Sequence, residues 1–263
     1  MISAYDISKI VLEQSMRAKV GHIGSSLSIA GILAALFGGV LEGKGPDDPD
    51  RDRFVLSKGH AALALYAALH LRGWISAEAM NTYCADGSML GVHPDSELAG
   101  VDFSTGSLGH GLPLAVGAAL AARMQRSDRR CFVLVSDAEC NEGSLWEAVM
   151  LAAHQHLSNL VAIVDMNGQQ ALGYTKDVLS LEPLPAKWQA FGWDVLEVDG
   201  HDVAGLIRAI ESLKTRAHAP HVLIARTEFG HGVSYMRSQI KWHYLPMSEA
   251  DYEDALKDIE TLR

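Results

Sequence analysis

The chain has 263 residues, enough for one large α/β domain or at most two small ones. Hydrophobic residues make up 48% and charged residues 21%, which allows a sizeable core and argues against general disorder. With 22 basic against 32 acidic residues the net charge is −10, a poor basis for nucleic-acid binding, which runs on phosphate neutralisation by Lys and Arg. Any phosphate bound here must be held locally, by backbone N–H groups, a metal or a few His. The opening MISAYDISKI lacks a basic region followed by an apolar stretch and does not read as a signal peptide. Apolar stretches are broken by Gly and Ser well short of about 18 residues, so no transmembrane helix is expected. Cys84, Cys131 and Cys140 show neither CxxC pairing nor metal spacing, and a reduced, cytoplasmic protein is the simple reading.

In chain order, an apolar stripe of Ile7, Ile10, Val11 and Met16 predicts a helix over Ile7–Lys19. The loop Val20–Gly24 follows, and Ser25-Ser26 is expected to cap a small-residue helix, Leu27–Leu41. The Gly-, Pro- and Asp-rich stretch from Gly43 to Arg53 reads as surface loop. Phe54–Ser57 is a short strand running into Lys58-Gly59-His60 and an Ala/Leu-rich helix to about Leu71. Residues 81–112 are irregular, rich in small and apolar residues, and of a length that usually carries function. A helix over Leu112–Met124 comes next. From there apolar runs alternate with helical segments: strand Cys131–Ser136, helix Asn141–Leu157, strand Leu160–Val164, helix Ala186–Ala190, strand Trp193–Val198, helix Val203–Ala217 and strand His221–Ala225. The polar tail after Ser248 reads as an outer helix. Such alternation predicts an α/β fold, a doubly wound, mostly parallel sheet with helices on both faces. Ligands of such sheets sit outside the carboxyl ends of the strands.

Several strands end there in polar residues, and two of these stand out. Asp137 leaves one central strand and Asn167 leaves the next, 30 residues later (167 − 137), the length of one strand–helix–strand unit. One carboxylate, one amide oxygen and a nearby carbonyl suit a hard cation such as Mg²⁺, which takes its other ligands from phosphate and water. The helix starting near Asn141 would add its N-terminal N–H groups. On these residues alone, a helix-capping Asp and an Asn-Gly turn account for the pattern equally well.

The segment SDAECNEGSLWEA followed by VDMNGQQALG resembles the thiamine-diphosphate-binding signature in the form seen in transketolases. VGHIGSSLS, LSKGHA, GVHPDSE and STGSLGHGLPLAVGAALA match that family in order, and HGVSYM with WHYLP resembles its closing segment. The resemblance extends from Ile7 to about Pro246. It implies thiamine diphosphate and Mg²⁺ as cofactors, with Asp137, Asn167 and the backbone oxygen of Gln169 as metal ligands. It implies that His60 and His243 contact the diphosphate or the reacting substrate, and that Gly106, Ser107 and Leu108 lie along the cofactor, Leu108 near the aminopyrimidine. Ala138 and Glu139 are carried over with the Asp as cofactor-binding. His22 and His93 would face the substrate and move protons at its hydroxyls, a role that suits neutral imidazole. Glu142 and Glu147 match acids that link the two active sites across the family's dimer interface. His110 stands where the family usually has Gln.

Three residues depart from the family pattern. Ser136 and Ala138 replace the Gly on either side of Asp137, where Gly would permit close phosphate approach and positive φ. Tyr244 replaces the Gly that usually follows His243. In full-length transketolases a Glu on a second, pyrimidine-binding domain activates the cofactor. With the chain ending at Arg263, one diphosphate-binding domain over 1–263 is expected, working as the N-terminal subunit of a split transketolase. A separate C-terminal subunit would supply the activating Glu in an α2β2 heterotetramer acting on small sugar or aldehyde substrates, without nucleic acid or membrane. The alternative expectations are a deoxyxylulose-phosphate-synthase-like subunit, or a degenerate, non-catalytic partner subunit.

Overall fold

A computed structural model describes residues 2–216 and 218–263. Its centre is a five-stranded parallel sheet. In chain order the strands are β1 (Arg53–Leu56), β2 (Cys131–Ser136), β3 (Leu160–Met166), the two-residue β4 (Gln169–Gln170) and β5 (Gly173–Tyr174), β6 (Asp194–Asp199) and β7 (His221–Arg226). The sheet runs β1-β2-β3-β7-β6, while β4 and β5 pair as a small antiparallel hairpin.

The helices are α1 (Ala4–Ala18), α2 (Ile23–Ser28), α3 (Ala30–Ala35), α4 (Ala62–Leu71), α5 (Ala77–Met80), α6 (Gly111–Met124), α7 (Gly143–His154), α8 (Thr175–Val178), α9 (Leu184–Ala190), α10 (Val203–Leu213) and α11 (Glu249–Ile259). Successive strand residues point to opposite faces, so each strand feeds two cores. Phe54, Phe132, Leu134, Ile163 and Leu223 pack with α1 to α4, α10 and α11. Val55, Val133, Val135, Ala162 and Ile224 pack with α6, α7 and α9. This two-sided burial explains why the strands read as continuous apolar runs. The winding follows from crossover handedness. The chain steps forward from β1 through β3 with α6 and α7 on one face. It turns back from β6 to β7 through α10 on the other.

Several boundaries differ from expectation. Helix α1 starts earlier, because the Ser3 hydroxyl caps it by accepting the Asp6 N–H at 3.0 Å. The single helix expected over Leu27–Leu41 is broken into α2, α3 and a π-helical turn over Leu36–Val40. Ser25 and Ser26 lie inside α2 rather than capping a later helix, and His22, in the left-handed region, is the residue from which α2 starts. The helix expected from Asn141 begins instead at Gly143, after a 3₁₀ turn over Ala138–Asn141, because Glu142 is extended. Helix α10 ends at Leu213, and its expected end, Ala217, lies outside the described residues. Among the described residues no helix is long and apolar enough to cross a membrane.

Candidate active site

The site is assembled by sheet register. Ser136 pairs with Asp165, so Asp137 emerges beside the end of β3, and its N–H donates to the Asp165 carbonyl at 3.2 Å. The Asp137 carboxylate is 0% exposed and accepts the N–H of Ala138 at 2.8 Å and of Gly168 at 2.7 Å. Burial, reinforced by the nearby Asp165 charge, pushes its carboxyl up to about 7. Asn167 sits across from it and accepts the Gln169 N–H at 3.0 Å. The side-chain amide of Gln169 is buried with neither its nitrogen nor its oxygen hydrogen-bonded.

Beneath this pair lies a polar keystone that sequence reasoning missed. Asp165, fully buried, accepts from Lys58 Nζ at 2.5 Å, Ser28 Oγ at 2.8 Å, Asn167 Nδ2 at 2.7 Å and Thr227 Oγ1 at 2.5 Å. Lys58, also fully buried, bonds the Ser25 carbonyl as well and lines the cavity above. The signal for it was present: a Lys directly after a short apolar strand, at the carboxyl end of the sheet. Among the described residues underlying this basin, Asp137 and Asp165 are fully buried carboxylates beside one buried ammonium, Lys58, which is paired with Asp165.

Glu139, expected beside the cofactor, turns inward. Its carboxylate accepts from Ser57 Oγ at 2.5 Å, the Gly109 N–H at 2.9 Å and the Ser136 N–H at 2.8 Å. It thus ties the end of β1 and the loop before α6 to the turn that carries Asp137, and burial raises its carboxyl above the usual range. Substituting Glu139→Gln places an amide donor against these donors. We expect a loss of about 1.5–3 kcal/mol in a denaturant titration, and an unchanged midpoint would refute the clamp. Neither Ser136 nor Ala138 has positive φ, and Asp137 is in the right-handed helical region, so replacing the two Gly strains nothing here.

Four His gather around a cavity of about 370 Å³, together with Gly106, Leu108, Ala138, Asn167 and Gln169. The His22 and His60 ring centres are 5.5 Å apart, and those of His60 and His243 are 6.3 Å apart. His60 Nε2 lies 2.8 Å from Ser25 Oγ. Burial, with Lys58 and neighbouring His adding to it, lowers His60 well below the usual imidazole range and brings His243 down to about 4. Burial, then His93 and Lys58, also lowers His22. These three rings are therefore neutral near pH 7. His243 is 6% exposed and its Nε2 has no partner. His93 rests on Gly106, where a Cβ would stand 2.9 Å from the His93 ring.

Ser107 falls outside this cavity. It lines a neighbouring groove of about 880 Å³ with His110, Leu114, Glu147 and Leu151. His93 and Gly106 border both spaces, Glu142 borders the first and Glu147 the second. Among the described residues no three His, Cys, Asp or Glu side chains converge on a metal position, so any cation here would rely on a carboxylate and neutral oxygens.

A five-stranded parallel sheet with a polar, imidazole-lined cavity at its carboxyl edge defines an α/β domain. The family model "Transketolase, thiamine diphosphate binding domain" matches residues 3–259, and the chain belongs to that family. It is 43% identical to an apulose-4-phosphate transketolase subunit of Phocaeicola vulgatus, over 95% of this chain and 90% of that one. It is 39% identical to the 6-deoxy-6-sulfo-D-fructose transketolase subunit SqwG of a Clostridium species, over 97% of this chain and 94% of that one. The transketolase of Campylobacter jejuni superposes with a TM-score of 0.92 at 30% identity, over 98% of this chain. The chain spans 42% of that solved transketolase's length.

Proposed function

We propose that the chain is the N-terminal, diphosphate-binding subunit of a two-component transketolase, with 1–263 forming a single domain. Asp137 and Asn167, with the backbone oxygen of Gln169, hold Mg²⁺ in this reading. Gly106, Leu108 and Ala138 lie along thiamine diphosphate, with Ser107 behind them and Glu139 bracing the turn. The observation that carries the reading is the charge imbalance of the basin, where two fully buried carboxylates, Asp137 and Asp165, have one buried ammonium, Lys58, between them. A divalent cation with phosphate oxygens fits that imbalance, because buried charge is tolerated only when paired. The unpartnered Gln169 amide is a second opening of the same kind.

Thiamine diphosphate, when bound, supplies the electron sink that lets a two-carbon ketol unit pass from a ketose to an aldehyde. This chain's residues hold and orient around it. Lys58 directs two protons at Ser25 and Asp165 and keeps a third for a phosphate oxygen. His60 and His243 hold diphosphate or substrate oxygens, and His22 and His93 accept or donate protons at sugar hydroxyls, which neutral imidazoles can do in either direction.

A separate C-terminal subunit seats on the groove of about 880 Å³ and brings the activating Glu to the site. Relatives that are named as subunits and are matched over 90% and 94% of their length support this part. The assembly is an α2β2 heterotetramer in the cytoplasm, acting on small sugar or aldehyde substrates. Calorimetric titration of thiamine diphosphate into the assembled complex is expected to give saturable heat with Mg²⁺ and none with EDTA. Absence of binding with both partner and Mg²⁺ present overturns the reading.

A further inference from the structure

The hairpin after β3 covers one side of the cavity, and the strap after β7 covers the other. The hairpin has little stability of its own, since each strand is two residues long. Gly168 precedes it at φ +76° and Gly173 opens its second strand at φ +148°, backbone conformations that favour glycine. The strap is held firmly. A Cβ on Gly21 would stand 2.6 Å from the Tyr244 carbonyl oxygen, so the two backbones are in direct contact, and the His22 N–H donates to the His243 carbonyl at 3.3 Å. Two tyrosine hydroxyls join the loose wall to the firm one. Tyr244 Oη donates to the Ala171 carbonyl at 2.6 Å, and Tyr174 Oη donates to the Ser238 carbonyl at 3.1 Å.

We propose that Tyr244 is a positioning residue whose hydroxyl clasps the Gln169–Tyr174 hairpin to the strap carrying His243, so that the clasp sets how fast the diphosphate end of the cofactor enters and leaves. The cofactor half rests on the function proposed above, and the clasp itself does not. Tyr244 is 56% exposed and buries little apolar surface, so the phenol's contribution is concentrated in its one bond across the mouth. Opening the hairpin breaks that bond. Removing it speeds opening whether the site is empty or filled, so both rates rise together while the equilibrium between them hardly moves.

The test compares Tyr244→Phe with the parent in two measurements on the complex with the second subunit. Hydrogen exchange at residues 169–174 without cofactor is expected to quicken about three- to tenfold, the size of one neutral hydrogen bond. Stopped-flow fluorescence with thiamine diphosphate and Mg²⁺ is expected to show association and dissociation accelerating by a similar factor, with Kd within about twofold and an unchanged melting temperature. Tyr174→Phe, which loses the longer bond, is expected to move both readouts less and in the same direction. Unchanged hairpin exchange in Tyr244→Phe overturns the clasp. A lowered melting temperature with unaltered association and dissociation rates reduces Tyr244 to a structural residue and overturns it too. If the parent fails to bind cofactor at all, the proposed function and the gating role fail together, while hairpin exchange still decides whether the clasp exists.

Discussion

Asp137→Ala is expected to abolish magnesium-dependent cofactor binding, at some cost to the metal-free protein because it also leaves the Ala138 and Gly168 N–H groups without their acceptor. Among the described residues of the basin, Asp137 is a fully buried carboxylate between the cavity-lining Ser136 and Ala138, and it has no cation of its own, because Lys58 is already paired with Asp165. Removing a metal-oriented carboxylate should lower affinity by on the order of 100-fold or more. The stability side follows from the raised carboxyl. A folded-state value of about 7 against an ordinary 3.8 means the folded protein holds this proton more tightly than the unfolded chain. The group's stabilising contribution is therefore complete below pH ~4 and is lost as pH rises through about 7. Without metal, the parent is expected to lose stability across that window and Asp137→Ala to lose less. With Mg²⁺ and thiamine diphosphate, only the parent regains it. Thermal melts at pH 5 and pH 8, with and without Mg²⁺ and cofactor, read both effects. A variant that binds cofactor as tightly as the parent would remove Asp137 from the metal site.

The second large effect concerns the missing half of the chemistry. The chain alone is expected to show negligible ketol transfer, and addition of the C-terminal subunit is expected to raise it by on the order of 10²–10⁴-fold, the contribution of a positioned general acid. Burial keeps His22, His60 and His243 of the cavity in the neutral form, so none of these three replaces that acid. Rate against the amount of C-terminal subunit should saturate near equal amounts of the two chains. Full ketol transfer by the isolated chain would sink the two-component reading.

The sheet was legible because both of its faces are covered. Cys131–Val135 and Leu160–Val164 are uninterrupted apolar runs, and the 30-residue spacing from Asp137 to Asn167 matches the one strand–helix–strand unit that sets their ends on neighbouring strands. The loops were less legible. The hairpin Gln169–Tyr174 carries two-residue strands too short to leave a periodic signal. Lys58 and Asp165 are separated by 107 residues, and no local pattern marks a side-chain pair made across three elements. Glu139 illustrates a different limit: its position in the motif is right, but only the fold shows that its carboxylate faces Ser57 and Gly109 rather than the cavity. The two Gly replacements looked costly in sequence and prove neutral for the backbone, since φ is negative at both.

The wall between the two spaces is a single loop, with His93 seated directly on Gly106. A partner pressing on Gly106 from the groove and a cofactor touching His93 from the cavity act on the same few atoms. If the partner and cofactor bind as proposed, their binding energies would be coupled, and the coupling would be reciprocal: whatever factor the partner adds to cofactor affinity, the cofactor adds to partner affinity. Cofactor supply would in this way govern how much of the complex is assembled, as well as how much of it is active.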